Sequence, residues 1–119
     1  MIYLASPYSH PNPAVMQWRY ERACLAAAEY IRRGEAVFSP VAHSHPIALA
    51  GGLDATDHET WLRIDAEMMT ACNAVHVLML GGWQESRGVR EEVRLALERG
   101  LPVEYVNPDE LTENERNEQ

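Results

Sequence analysis

The sequence alternates short apolar runs with longer stretches of helical periodicity, and this alternation constrains its fold more than any other feature. We predict strands over 2–5, 36–39, 74–80 and 102–106, and helices over 13–33, 57–72 and 87–99. Strands that alternate with helices in this way pair in parallel and carry the helices on their faces. The expected fold is therefore an α/β, three-layer, doubly wound domain of the flavodoxin or Rossmann-like type, with a four- to five-stranded parallel sheet.

The segments that follow the predicted strands are the expected ligand-binding region. In open parallel sheets, ligands bind beyond the carboxyl ends of the strands. Segments 6–10, 40–45 and 81–88 each follow a strand, so we expect them along one rim of the sheet. The connection 39–57 is unusually long and carries proline, histidine and glycine. We predict a functional loop there, because long loops tend to carry function.

Length, charge and cysteine use limit the classes of protein. We expect a single domain at 1–107, followed by a charged tail at 108–119. The 18 acidic and 10 basic residues give a formal net charge of -8, which would repel a phosphate backbone. We therefore expect no nucleic-acid partner, and the lack of a long apolar run indicates no membrane partner. No signal-peptide pattern or C-x-x-C spacing is present, which favours a cytoplasmic protein with reduced thiols.

Asp65 lies at the centre of the apolar stripe of the second predicted helix. At about 100° per residue, Trp61, Met69 and Cys72 all fall within about 40° of it. A carboxyl group in that position loses hydration, so it must find hydrogen-bond donors, raise its pKa or line a polar cavity. Asp65 is thus either a structural carboxylate or a site residue, and the tendency of buried acids to cluster at sites favours the second interpretation.

The two adjacent glutamates of the third predicted helix differ in orientation. Glu92 borders the apolar face of the helix, whereas Glu91 points away from that face. We therefore predict that Glu91 is solvated and that Glu92 lies at the edge of the packed face. Because Glu92 comes early in the helix, we expect the helix dipole and the free N–H groups to keep it ionised.

The turn before this helix is rich in glycine. Ser86 has the type and position of an N-cap residue, and Gly88 allows the backbone to approach a ligand closely. The stretch matches neither G-x-x-x-x-G-K-[ST] nor G-x-G-x-x-G, so the two standard nucleotide-phosphate motifs are excluded. The turn by itself fits a phosphate, a ribose or no ligand.

Three motifs occur in a characteristic order. Tyr3 lies in the first strand, Asp65 is followed eight positions later by Asn73 just before the central strand, and S-x-G-V-x-x-E occupies 86–92. Together they resemble the nucleoside 2-deoxyribosyltransferase superfamily, which also contains deoxynucleoside 5′-monophosphate N-glycosidases. The resemblance spans residues 2 to about 106 and is greatest to small uncharacterised bacterial and phage members.

The resemblance implies cleavage or transfer at the N-glycosidic bond of a (deoxy)nucleoside or nucleotide. It assigns Glu92 as the nucleophile, Tyr3 as its hydrogen-bond partner and Asp65 as the residue that assists at the base or sugar. An ionised carboxylate stabilises or captures the positive charge that develops at C1′, while a protonated acid delivers a proton to the departing base. The implied activity is that of an N-glycosidase or (deoxy)ribosyltransferase.

Residues along the rim are the expected substrate contacts, namely Ser6, Tyr8, Trp83, Ser86, Gly88 and His43. Tyr8 and Trp83 either stack on a base or pack at the rim. If His43 and His45 lie on an extended segment, both side chains point the same way. No standard zinc spacing is present, so we expect no metal, and we expect no cofactor. The first loop lacks the arginine and extra glycines of the monophosphate-specific members, so a 5′-phosphate is not expected to be required.

Two alternatives stay open at the level of the sequence. A nucleotide-binding or regulatory module with the same pocket and no turnover would carry the same residues. A nicotinamide- or ADP-ribose-type ligand would use the same carboxylate with a different leaving group. In family enzymes a neighbouring subunit completes the site, so the resemblance also implies a homodimer or homotetramer.

Overall fold

The chain forms an α/β domain around a four-stranded, all-parallel sheet. The computed structural model describes residues 1–111. The elements in chain order are β1 Ile2–Ala5, α1 Pro13–Arg32, β2 Val37–Phe38, α2 Pro40–Gly51, α3 His58–Met69, β3 Ala74–Leu78, α4 Arg87–Glu98 and β4 Val103–Val106. The predicted doubly wound, three-layer fold is confirmed, with four strands in the described part of the chain.

The strand order β2-β1-β3-β4 creates a crevice at the centre of the sheet. The chain winds from β1 to β2, then crosses back to place β3 on the other side of β1. Winding therefore changes direction between β1 and β3, and the loops that leave these two strands diverge. A ligand crevice is expected at such a switch point, beyond the carboxyl ends of the strands.

Strand β1 contributes side chains to two separate cores. Tyr3 and Ala5 pack in a cluster that includes residues of α3 and α4, whereas Leu4 packs with α1 residues on the opposite face. All three side chains are fully buried. Because both faces are covered, the strand reads in the sequence as a continuous apolar run.

The prediction of a loop over 39–57 is wrong for most of that segment, because Pro40–Gly51 form helix α2. The Ser39 side chain caps the helix by accepting from the Ala42 N–H at 3.1 Å, and Pro40 occupies the first turn, where no N–H is needed. Gly52 ends the helix at φ +67°. Pro46 concealed the helix in the sequence, since a proline removes an N–H from a helix interior.

The packed chain continues beyond residue 107. Residues 108–111 form a further helical turn, and the Asn107 side chain accepts from the Asp109 N–H at 2.9 Å. Leu111 is 7% exposed and joins the core cluster on the α1 face of the sheet. Of the charged tail predicted at 108–119, residues 112–119 lie outside the described residues. Within 1–111, no helix is long and apolar enough to cross a membrane.

We expect Leu111→Ala to lower the free energy of unfolding by about 2–3 kcal/mol, because it removes buried methyl groups from a closed core. Leu97→Ala is the matched control: Leu97 is 64% exposed, so the change should stay within about 0.5 kcal/mol. Urea unfolding at one fixed protein concentration measures the free energy of unfolding of each variant. Equal stability of the two variants would show that the turn at 108–111 does not belong to the core.

Candidate active site

A cavity of about 220 Å³ lies at the crevice between β1 and β3. The loop after β1 contributes Ser6 and Tyr8, and the start of α2 contributes a further wall. One face of α3 supplies Asp65, and the first two turns of α4 supply Gly88 and Glu92. The sequence-predicted residues Ser6, Tyr8, Asp65, Ser86, Gly88 and Glu92 therefore share one cavity.

Glu92 is a buried carboxyl group, held on one side by the first strand. It is 6% exposed, and the hydroxyl of the fully buried Tyr3 donates to its Oε2 atom. The Oε1 atom lies on the side of Gly88, where an added Cβ would come within 3.9 Å of it. The bare backbone at Gly88 leaves space beside Oε1, so this oxygen is the one placed to meet a ligand.

The orientation of the two glutamates predicted from the helical periodicity is confirmed. Glu92 is buried, whereas Glu91 is partly exposed and its Oε2 accepts from Arg94 Nη2 at 2.9 Å. The predicted position of Asp65 on the apolar face of its helix is confirmed as well, since it is 7% exposed on the buried face of α3 with Trp61 and Met69. The pattern of apolar residues was sufficient to find both buried acids.

Three buried polar atoms beside the cavity have no hydrogen-bond partner in the described part of the chain. Within residues 1–111, Ser6 Oγ, His58 Nε2 and Asp65 Oδ1 are the buried side-chain atoms without a hydrogen-bond partner. Such atoms are rare in folded proteins, because each one loses the hydrogen bonds it would make to water. All three residues line the same cavity, so the unpaired buried polar atoms of residues 1–111 gather around one site.

Burial raises the pKa of both carboxyl groups. It raises the pKa of Glu92 to about 8, with a further rise from the charge of Asp65 and an opposing contribution from the Tyr3 hydrogen bond. Burial also raises the pKa of Asp65 to about 7. Because each negative charge opposes the other, the pair loses its protons in two steps. Near neutral pH the site therefore holds at least one proton on this pair for much of the time.

The prediction that the start of the helix keeps Glu92 ionised is wrong. Helix α4 begins at Arg87, so Glu92 lies in the second turn. The influence of the helix dipole falls off within the first turn, and the Ser86 side chain already accepts from the Val89 N–H at 3.2 Å. Loss of hydration outweighs the remaining influence of the helix dipole, and it raises the pKa of the Glu92 carboxyl group.

Arg19 joins the loops on the two sides of the crevice. Its Nη1 atom donates to the carbonyl oxygens of Tyr8 at 3.3 Å and Ser9 at 3.0 Å, and its Nη2 atom donates to the carbonyl of Gly81 at 3.0 Å. Gly82 has a φ of +88°, and a Cβ there would lie 2.6 Å from Arg19 Nη2. The positive φ favours glycine at 82, and a side chain there would also have to displace the Arg19 guanidinium from its present position.

Two predicted substrate contacts, Trp83 and His43, do not line this cavity. The Trp83 ring packs against Tyr105, with centroids 5.4 Å apart, and borders a different cavity. His43 is exposed on α2. The prediction that His43 and His45 point the same way is wrong, because residues two apart on a helix differ by about 200°. His45 is buried as a result.

Asn73 also lies away from the cavity. Its side chain accepts from the terminal amino group of Met1 at 3.4 Å, at the amino end of the sheet. The cavity residues that were not predicted as substrate contacts include His58 and Trp61. These two precede Asp65 by seven and four positions, a spacing that puts all three residues on one helix face. The helical periodicity that located Asp65 could therefore have identified these two residues as well.

The arrangement is suited to acid–base and nucleophilic chemistry on a small polar molecule. Residues 1–111 contain no group of three or more His, Cys, Asp or Glu side chains that could hold a metal ion. The chemical groups at the cavity include two buried acids, an unpartnered hydroxyl and an unpartnered imidazole nitrogen. Two carboxyl groups in one cavity can divide nucleophilic attack and proton transfer between them.

Comparison with known proteins gives one family. No protein in a search of curated sequences matches the chain. A family model described as "Domain of unknown function (DUF1937)" matches residues 1–107. The match includes strands β1 to β4, helices α1 to α4 and the residues that line the cavity. The chain therefore belongs to the DUF1937 family.

Proposed function

We propose that this protein cleaves or transfers the N-glycosidic bond of a (deoxy)nucleoside or nucleotide. The observation that carries the proposal is the buried Glu92 carboxyl, with Tyr3 bound to one oxygen and the cavity beside the other. A second buried acid, Asp65, lines the same cavity. The motif resemblance at Tyr3, Asp65 and 86–92 supports the same reaction.

In the proposed reaction, Glu92 Oε1 attacks C1′ of the sugar while the bond from C1′ to the base nitrogen breaks. The electron pair of that bond goes to the base, and Asp65 supplies a proton to it. Water or a second base then attacks C1′ and displaces Glu92. Asp65, now a carboxylate, takes the proton that the attacking molecule loses. The Tyr3 hydroxyl stabilises the negative charge on Glu92 before attack and after release.

The substrate is identified by incubating the protein with nucleosides, 2′-deoxynucleosides, their 5′-monophosphates and NAD, with and without a free acceptor base. The 5′-monophosphates belong in the panel because Arg87 lines the cavity, although the loop after β1 gives no reason to require a phosphate. Chromatography of the released base identifies the substrate. Product formed only in the presence of an acceptor base indicates transfer, and product formed without it indicates hydrolysis.

We expect Glu92→Ala to lower kcat by at least about a thousandfold, because the nucleophile is lost. Glu91→Ala is the matched control, since its carboxylate is paired with Arg94 outside the cavity, and its activity should stay within about twofold of the wild type. Circular dichroism checks that both variants fold. Equal losses in two folded variants would contradict the assignment. If no compound reacts but one raises the melting temperature, a binding module without turnover replaces the enzyme proposal.

Asp65→Asn should lower activity and raise stability at alkaline pH. Burial raises the pKa of Asp65 to about 7 and that of Glu92 to about 8. A carboxyl with a raised pKa stabilises the fold while it is protonated, and this contribution is lost as pH rises through the folded-state pKa. The free energy of unfolding of the wild type should therefore fall between about pH 4 and pH 8, whereas the neutral amide at 65 should reduce that fall by about 1–3 kcal/mol.

The same substitution should change the pH profile of kcat/KM. In the wild type, the active form has Glu92 ionised and Asp65 protonated. Because the pKa of Asp65 lies below that of Glu92, this is the less populated of the two singly protonated forms, and kcat/KM should reach its maximum between the two values, at about pH 7 to 8. Asp65→Asn should reduce kcat/KM by about a hundredfold and remove the alkaline fall. An alkaline fall that persists in the variant would contradict the role of Asp65 as the proton donor.

A homodimer or homotetramer is part of the proposal. Ile47, Leu49 and Leu53 are 42%, 68% and 56% exposed at the end of α2 and in the turn after it. The start of the same helix lines the cavity with Pro40 and Val41. A second copy that covers these apolar side chains would therefore lie beside the site.

We expect Leu49→Glu to shift the protein to monomer, because a buried, unpaired carboxylate would oppose association. Leu97→Glu changes a comparably exposed leucine on α4 and should leave the assembly intact. Light scattering after gel filtration measures the mass of each variant. A monomeric wild type, or equal dissociation of both variants, would contradict an interface at α2.

A further inference from the structure

Tyr8 is held at the cavity by a buried histidine. The Tyr8 hydroxyl lies 2.6 Å from His45 Nδ1, and His45 Nε2 lies 2.9 Å from Gln17 Oε1. His45 is 5% exposed, and the Tyr20 ring stacks on it with centroids 4.3 Å apart. Both imidazole nitrogens are therefore satisfied without a charged partner, and burial lowers the pKa of His45, which favours the neutral ring.

The contact between Gln17 and Glu21 sets the direction of these hydrogen bonds. Gln17 Nε2 donates to Glu21 Oε1 at 3.1 Å, and a carboxylate oxygen only accepts. This contact fixes the Gln17 amide so that its oxygen faces His45. An amide oxygen also only accepts, so His45 Nε2 carries the proton of the neutral ring. His45 Nδ1 is then an acceptor, and the Tyr8 hydroxyl must donate to it.

The hydroxyl of Tyr8 has a single proton, and this proton is used in the hydrogen bond to His45 Nδ1. Any hydrogen bond between Tyr8 and a ligand must then use the phenolic oxygen as acceptor. We propose that Tyr8 is a specificity-determining residue that selects ligand groups able to donate a hydrogen bond, and that His45 is the positioning residue that fixes this polarity. The proposal rests on the proposed function for the ligand class, in which the donor is a sugar hydroxyl or an exocyclic amine of the base.

The cost of the wrong ligand group follows from the same polarity. A ligand group that only accepts hydrogen bonds would face a lone pair of the Tyr8 oxygen. A ligand without a donor at this point would leave the Tyr8 oxygen without that hydrogen bond in a partly buried site. Loss of one such hydrogen bond corresponds to about a tenfold weaker affinity. The preference of the site is thus measurable as the ratio of the dissociation constants of two ligands, one with the donor group and one without it. A general loosening of the fold would weaken the binding of both ligands and leave this ratio unchanged.

The first test needs no ligand. Long-range ¹H–¹⁵N correlation spectra of histidine-labelled protein report the tautomer of each imidazole, and His45→Asn identifies the signal of His45. We expect a neutral ring with the proton on Nε2. A proton on Nδ1, or a charged ring at pH 7, would reverse or remove the donor role of Tyr8 and overturn the proposal, whatever the protein binds.

The second test measures the preference itself. Dissociation constants are measured by calorimetry in a Glu92→Gln background, which prevents cleavage, for adenosine against purine riboside and for nucleosides against their 2′- and 3′-deoxy forms. The first pair tests an amine donor, and the others test a sugar hydroxyl. We expect one donor-bearing member to bind about tenfold more tightly than its partner.

Two variants of His45 provide the matched comparison. His45→Asn places an acceptor near the position of Nδ1 and should keep the ratio of dissociation constants, whereas His45→Gln replaces only the Nε2 side and should bring the ratio close to one. Tyr8→Phe should likewise bring the ratio of dissociation constants close to one. An unchanged ratio in Tyr8→Phe, or equal ratios in the two His45 variants, overturns the proposal. A protein that binds none of these compounds, with the expected tautomer present, overturns the proposed function and the ligand class that rests on it.

Discussion

The hydrogen bond between Tyr3 and Glu92 is the contact on which the rest of the site depends. It joins the central strand β1 to helix α4, and both partners are buried. A carboxyl group removed from water requires a donor, and Tyr3 supplies it from a strand enclosed on both faces. The contact fixes one oxygen of Glu92 and thereby determines that the other oxygen meets the cavity. In the proposed reaction, the orientation of the substrate and the transfer of the proton follow from that placement.

The site is maintained at a cost in stability. Two acids occupy positions that apolar side chains would fill at lower free energy, and three polar atoms at the cavity lack partners within the described chain. The surrounding core offsets this cost, since strands β1 and β3 contribute fully buried side chains to both faces of the sheet. Strained or poorly solvated groups persist only where the surrounding structure holds them in place. Their convergence on one cavity is the physical sign of a functional site.

Periodicity predicted much of this arrangement. The apolar stripe of α3 located Asp65, and the difference between adjacent positions on α4 separated Glu92 from Glu91. Helix α2 was missed, because Pro46 and the small residues near it are typical of loops and the helix has no single apolar face. The environment of His45 was missed with it. Its partner Tyr8 lies 37 positions away, and no local pattern indicates a contact at that separation.

The sequence by itself determined the order of the four strands and of helices α1, α3 and α4, and the inward orientation of Asp65 and Glu92, because these depend on local spacing and burial. Only the tertiary structure decided which inward-facing groups meet. Tyr3 and Glu92 are separated by 89 positions, and they meet because β1 lies next to β3 in the sheet and α4 packs across it. The protonation of the two acids was decided at the same level, since a pKa depends on the water that packing removes and on the charges that it brings close.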